Sequence, residues 1–236
     1  MLCAIAAVAA VIGAVVRATT PAPGSNPPLA PTTAASREQT RRLDTAVERL
    51  RTLQLESAEL MPDEVRGVFI GLRRDELLGL RPGARPAPGG IVGHSLVQEV
   101  LPSGAVVAYL ISQRLERVAQ VQFLSRMTDV SRLGAHYEGL RARYGEPAGF
   151  LECPESQESA PTRRIVWIRR ETTVMEAILI HSGGVGLTLA VAGNQEVASA
   201  VRRQRCRPVA REALAAWPIA RSLRGERVPV SAPASP

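Results

Sequence analysis

The chain has 236 residues, of which 45% are apolar, and a formal net charge of +7. This apolar content is normal for a globular protein, which excludes a chain that is disordered throughout. Residues 67–194 carry 14 arginines against 12 acidic residues, whereas residues 195–236 carry eight arginines against three. The body is therefore nearly balanced in charge. The positive charge belongs mostly to the C-terminal segment, as in a solvated tail or a segment that meets an anionic partner.

The chain begins with an unbroken apolar run at residues 2–16, LCAIAAVAAVIGAVV. As a helix at about 1.5 Å per residue it would span roughly 22 Å, and only Arg17 follows it near the far side of a ~30 Å hydrocarbon core. Two interpretations stay open for residues 1–18. They form either a signal peptide that lacks the usual basic start or an uncleaved membrane anchor that contacts lipid through residues 2–16.

A proline-rich segment follows at residues 19–36, TTPAPGSNPPLAPTTAAS. Prolines and small polar residues in this proportion cannot pack, so we expect a disordered linker. Residues 37–60 are predicted to form an amphipathic helix that Ser36 caps. Its apolar stripe consists of Leu43, Val47, Leu50 and Leu53. Two roles stay open for this stripe: packing on the folded body, or self-association as a stalk.

The body, residues 61–194, alternates helix signals with strand signals. The stretch IGLRRDELLGLRPGARP at residues 70–86 predicts a short helix ended by proline and glycine, and residues 129–147 predict a second helix. Apolar runs bounded by polar turns predict strands. These strands lie at residues 97–101, 106–111, 116–124, 163–170, 173–181 and 185–192.

This order of elements predicts an α+β fold. We expect an antiparallel sheet of about six strands, built as two helix-plus-three-strand units, with the helices on one face. The N-terminal apolar helix and the Pro-rich tether precede this domain. Residues 195–236 follow as a basic tail, which begins with helix-forming composition and ends in a proline-rich stretch that we expect to be disordered.

The start of the body fits a Gly-x-x-x-(Asp/Glu)-x-x-Leu pattern. The residues that fit it are Gly71, Asp75, Leu78 and Leu80. With RYGEP at residues 143–147, the chain over roughly residues 65–192 resembles the BamE/SmpA-like small α+β modules of bacterial envelope proteins, and the similar double modules of β-lactamase-inhibitor proteins. The resemblance implies a non-enzymatic, protein-binding envelope module and transfers no functional residue. Cys3 lies inside the apolar run and does not match the group's lipid attachment site.

No motif in the sequence predicts catalysis, a cofactor or a bound metal. The three histidines lie in different predicted elements, without the spacing of metal ligands. HSGGVG at residues 181–186 lacks the Lys-Ser/Thr of a phosphate-binding loop, and GHSLV at residues 93–97 lacks the second glycine of a nucleophile elbow. We therefore expect a protein that is not an enzyme. An enzyme would require a cleft that gathers, for example, His136, Glu138 and His181.

Two arginine pairs flank the strand residues IVWI: Arg163 with Arg164, and Arg169 with Arg170. A basic sheet face beside Trp167 could bind an acidic partner or nucleic acid. Solvated strand ends that discourage edge aggregation are the alternative. Because the body is nearly balanced in charge, we do not expect it to bind nucleic acid.

Cys153 and Cys206 lie outside the apolar run. In an exported protein they are a candidate disulfide, whereas in a cytosolic protein they would be free thiols. The apolar run, the tether and the body together predict a membrane-anchored protein whose body lies in the periplasm or elsewhere outside the cytoplasm. The predicted function is that of a membrane-tethered, non-catalytic envelope module that acts by protein–protein interaction with an unknown envelope protein.

Two other functions stay open on the sequence. One is an exported enzyme with an unrecognised site. The other is a basic module that faces the cytosol and binds nucleic acid through its tail. The oligomeric state also stays open.

Overall fold

The structure is a computed structural model that describes residues 34–154, 162–181, 184–217 and 219–220. The chain divides into two units, Met1–Leu43 and Asp44–Pro236. The described residues of the first unit belong to helix α1, Ala34–Leu60, and the rest of α1 belongs to the second unit. The predicted anchor or signal at residues 1–18 lies outside the described residues, as does most of the predicted linker at residues 19–36.

The predicted transmembrane helix is not among the described helices. In the part of the chain that the structure describes, no helix is both long enough and apolar enough to cross a membrane. α1 has the length, at 27 residues, but arginines and acidic residues recur along it, and charged side chains are costly inside a bilayer. The apolar run at residues 2–16, on which the prediction rested, lies outside the described residues.

In its described residues, the second unit contains one antiparallel sheet and three helices after α1. The helices are α2 (Arg74–Leu80), α3 (Leu133–Tyr144) and α4 (Asn194–Arg203). The strands are β1 (Arg85–Ala87), β2 (His94–Val100), β3 (Val106–Ser112), β4 (Arg117–Met127), β5 (Gly149–Cys153), β6 (Thr162–Ile168), β7 (Thr172–His181), β8 (Gly184–Gly193) and β9 (Arg207–Pro208). Short 3-10 helices lie at Asp63–Val65, Val130–Arg132 and Arg211–Ala216.

The predicted sheet of about six strands is wrong. The described sheet has nine strands in the order β1-β2-β3-β4-β8-β7-β6-β5-β9, and each neighbouring pair is antiparallel. Its plan is one helix followed by a four-stranded meander, repeated once: α2 with β1 to β4, then α3 with β5 to β8. The two meanders join where β4 pairs with β8, from Gln120 opposite Ala192 to Met127 opposite Val185.

The sequence analysis did not predict three of the strands, because they are short or lack a regular alternation of apolar and polar residues. β1 has three residues, one of them Pro86, which is too few for a period-two pattern. β5 falls in the stretch AGFLEC, where a nearby proline and a glycine favoured a loop. β9 has two residues, one of them Pro208, and it pairs with Leu151 and Glu152 of β5.

Successive residues of a strand point to opposite faces, so Glu176 and Met175 of β7 mark the two faces of the sheet. The front face, which carries Glu176, is covered by α2 and α3. Arg81 at the end of α2 binds Glu99 on this face, and His136 of α3 contacts Glu176. α4 lies on the back face, where its residues line the same cavity as Met175. The helices of the two predicted units, α2 and α3, therefore share one face, whereas α4, which follows β8, lies on the other face.

The second half of α1 packs on the core with only part of its predicted apolar stripe. Leu53 is partly buried against the core, whereas Val47 is 64% exposed and Leu50 is 59% exposed. Further along the helix, Ser57 is completely buried, and its hydroxyl accepts a hydrogen bond of 2.9 Å from the backbone N–H of Ile70. A polar residue that the stripe does not include therefore helps to fix α1 on the body.

Candidate functional site

The back face of the sheet carries an open trough of about 880 Å³. Ala177 of β7 lies opposite Thr188 of β8, and two residues along, Met175 lies opposite Ala190. Three of these four side chains are short. They project only a little from the back face, and this leaves a depression between the longer side chains around them. Larger side chains complete the lining: Leu110, Gln120, Gln122, Leu124, Arg164 and Leu179.

A hairpin loop between β1 and β2, residues 88–93, stands at the rim of the trough; we call it the tip loop. Its Val92 side chain is fully exposed, and Ile91 is 45% exposed. Both residues line the trough. The tip loop therefore presents two adjacent apolar side chains to water beside this depression.

Glycines make the tip loop possible. Gly90 has a φ of 133°, which favours glycine, and a Cβ atom at this position would lie 2.8 Å from the carbonyl oxygen of His94. Two backbone hydrogen bonds of 2.9 Å hold the loop, from the N–H of His94 to the carbonyl of Ile91 and from the N–H of Gln113 to the carbonyl of Gly93. The apolar tip is thus part of a fixed turn.

α4 forms one wall of the trough and is attached at both ends. At its start, the Nδ2 of Asn194 donates to the carbonyl of Arg169 at 3.0 Å, and its Oδ1 accepts from the hydroxyl of Thr173 at 2.7 Å.

Just beyond the end of α4, the structure brings together the two candidate cysteines, and the Sγ atoms of Cys153 and Cys206 lie 2.03 Å apart in a disulfide. The wall is therefore fixed to the sheet by side-chain hydrogen bonds at one end and a covalent bond at the other.

On its other flank, α4 borders a crevice of about 1040 Å³. The apolar lining comes from α4, the sheet and the segment after β9: Val197, Val201, Leu151, Val166, Ile168 and Val209. Arg141 at its edge is paired with Glu146 at 2.6 Å and with Glu138 at 3.4 Å, which neutralises its charge. No residue of α4 is buried, so the helix separates two depressions without filling either of them.

The structure does not bring together His136 and Glu138, two of the three residues that an enzyme was expected to gather. His136 contacts Glu176, with 3.1 Å between Nε2 and Oε1, whereas Glu138 points elsewhere and pairs with Arg141. His181 ends β7, and its side chain lies outside the described part of the chain. Burial raises the pKa of Glu176 above its ordinary value, and His136 opposes that rise. Among the described residues, no group of three or more His, Cys, Asp or Glu side chains could hold a metal ion.

A second polar cluster lies on the front face and has a structural role. The Nε of Arg81 donates to Glu99 at 2.8 Å, and the hydroxyl of Tyr109 donates to the same carboxylate. Burial, and then the hydrogen bond to Glu99, raise the pKa of Tyr109 well above its ordinary value. Because Glu99 and Tyr109 are both buried, this cluster links α2 to the sheet and presents no group to a ligand.

The arginine doublets do not form one basic face. Arg164 lines the trough on the back face, whereas the guanidinium of Arg163 lies 5.9 Å from the ring centre of Trp217. Trp167 is buried, and its Nε1 donates to the carbonyl of Gly145 at 2.8 Å. Its ring is therefore part of the core and does not present a stacking surface.

The chain matches no known protein family, no curated protein and no solved structure. The resemblance to BamE/SmpA-like modules therefore stays a prediction. Sequence reasoning missed the trough and the tip loop altogether. The stretch PAPGGIVGH did carry a signal for the loop, since three glycines enclose an apolar pair there.

Proposed function

We propose that this protein is a non-catalytic binding module that acts by protein–protein contact, and that the trough and the tip loop form the contact surface. The observation that carries the proposal is the position of Val92, which is fully exposed at the rim of the trough with Ile91 beside it. Adjacent exposed apolar side chains beside a depression are typical of interaction sites. A partner that covers both would remove this apolar surface from water.

The lining of the trough supports a protein partner. Gln120 and Gln122 supply amide donors and acceptors, while the partly exposed Ala177, Leu124 and Leu179 supply apolar area. Protein interfaces combine such an apolar centre with hydrogen-bonding groups around it. The short side chains of the floor leave room for a protruding element of the partner.

We also propose that the module works outside the cytoplasm, as an envelope protein. The support is the bond between Cys153 and Cys206, because disulfides persist in oxidising compartments and are rare in the cytosol. A reporter that is active only outside the cytoplasm, fused to the C-terminus, should be active in the native host. Activity of a matched cytosolic reporter in its place would contradict this location.

A pair of arginine substitutions tests the contact surface. Ala177→Arg fills the floor of the trough, whereas Ala142→Arg makes the same change at an exposed position of α3. Tagged full-length protein carrying either change is purified from the host and its co-purifying proteins are quantified. We expect at least one protein to be retained by the wild type and by Ala142→Arg but lost from Ala177→Arg. The same set of proteins with all three would contradict the proposal, provided that thermal unfolding shows both variants to be folded.

A further inference from the structure

α1 leaves part of its apolar stripe in water. Val47 and Leu50 remain mostly exposed although each is large and apolar. The contacts between the helix and the body include residues on a different side of the helix. Arg49 pairs with Glu171 at 2.9 Å, and Glu56 accepts a hydrogen bond of 2.9 Å from the backbone N–H of Glu171. At about 100° per residue, the centre of the pair Val47 and Leu50 lies roughly 140° around the helix from Arg49 and Glu56.

We infer that this exposed side of α1 binds a second copy of this chain, and that the two helices run antiparallel. The surface consists of Val47 and Leu50, flanked by Asp44 and Arg51. Asp44 and Arg51 lie on one edge of it, because seven residues make nearly two full turns of a helix. In the residues that the structure describes, neither of these two charged side chains forms an ion pair.

Charge complementarity selects the antiparallel orientation. When two copies pair about a two-fold axis between residues 48 and 49, Val47 of each copy faces Leu50 of the other. Along the helix axis, Asp44 of one copy and Arg51 of the second copy are then offset by only about 3 Å. The arginine side chain is long enough to span this offset. The symmetry forms this pair twice. In a parallel pair, the two-fold axis runs along the helices, so the charged edges of the two copies lie on opposite sides of the interface and Asp44 has no Arg51 beside it.

The experiment measures self-association of the full chain by sedimentation velocity at low ionic strength, over a range of concentrations. We expect a reversible dimer. Asp44→Arg alone or Arg51→Asp alone places like charges opposite each other and should weaken the dimer about tenfold. The double variant Asp44→Arg/Arg51→Asp restores opposite charges and should restore the dimer.

Serine substitutions separate this surface from other causes of association. Val47→Ser/Leu50→Ser should abolish the dimer, whereas Leu115→Ser, at an exposed apolar residue in the turn between β3 and β4, should leave it unchanged. All these positions are exposed, so the variants should fold like the wild type. A chain that is monomeric throughout would overturn the inference. So would association that survives Val47→Ser/Leu50→Ser, or a double charge swap that fails to restore the dimer.

Discussion

The Nε2 of His136 on α3 lies 3.1 Å from one carboxylate oxygen of Glu176 on β7, and the other oxygen of that carboxylate is buried without a hydrogen-bond partner. Glu176 is 1% exposed, whereas the side chain of His136 is 31% exposed. The contact therefore joins the helix that covers the front face to an acid inside the core. A buried carboxylate is stable only when it is paired or neutral. The contact with His136 therefore lowers the free-energy cost of ionising Glu176.

The substitution His136→Ala should destabilise the fold in a pH-dependent way. Burial raises the pKa of Glu176 above its ordinary value of 4.5, so the folded chain holds this proton more tightly than the unfolded chain. The contribution of Glu176 to the free energy of unfolding therefore falls as the pH rises through and above 4.5. At the alkaline end of the pH range the variant should lose roughly 1–3 kcal/mol, and less in acid, where Glu176 is neutral. Urea unfolding at several pH values measures this. In the Glu176→Gln background the pH dependence of the loss should vanish, and a loss independent of pH would contradict the account.

Removal of the disulfide should lower stability without changing the sheet. Cys153 and Cys206 are 53 residues apart, and closure of a loop of that length is worth about 4 kcal/mol on chain-entropy arguments. Denaturant unfolding with and without a reductant measures the effect, which should be absent from the double variant Cys153→Ser/Cys206→Ser. A reductant that leaves the wild-type midpoint unchanged would show that the bond does not form.

Two glycine substitutions should change stability in opposite directions. Gly90→Ala adds a Cβ atom 2.8 Å from a carbonyl oxygen at a φ of 133°, which should cost about 1–3 kcal/mol. Gly139→Ala in α3 meets nothing within 4 Å and should stabilise the helix by about 0.5–1 kcal/mol. Unfolding curves of the two single variants give both numbers. Equal effects of the two substitutions would mean that the tip loop does not adopt the backbone conformation described above.

β4 shows how far a sequence pattern can predict local structure. Val121 alternates with Gln120 and Gln122, and that alternation predicted a half-buried strand. In the structure Val121 is completely buried on the front face, while both glutamines line the trough on the back face. The pattern predicted the strand and its two faces because it depends only on neighbours in the chain.

The trough could not be predicted in the same way, because it depends on register between strands. Ala177 lies opposite Thr188 only because β7 and β8 pair in one register, and neither residue is unusual in its own strand. The contact between Glu176 and His136 could not be predicted for a similar reason, because His136 lies 40 residues earlier in the chain. The nine-stranded sheet required β1, β5 and β9, and the patterns of these short strands were too weak to detect.

The most direct test of the proposed function is site-specific photo-crosslinking in the native host. A photo-reactive amino acid replaces either Val92 in the tip loop or Leu115, which is 56% exposed and does not line the trough. The account predicts a defined protein adduct from position 92, none from position 115, and loss of the adduct when Ala177→Arg is combined with the probe at 92. No adduct at position 92, or the same adducts from both positions, would contradict it.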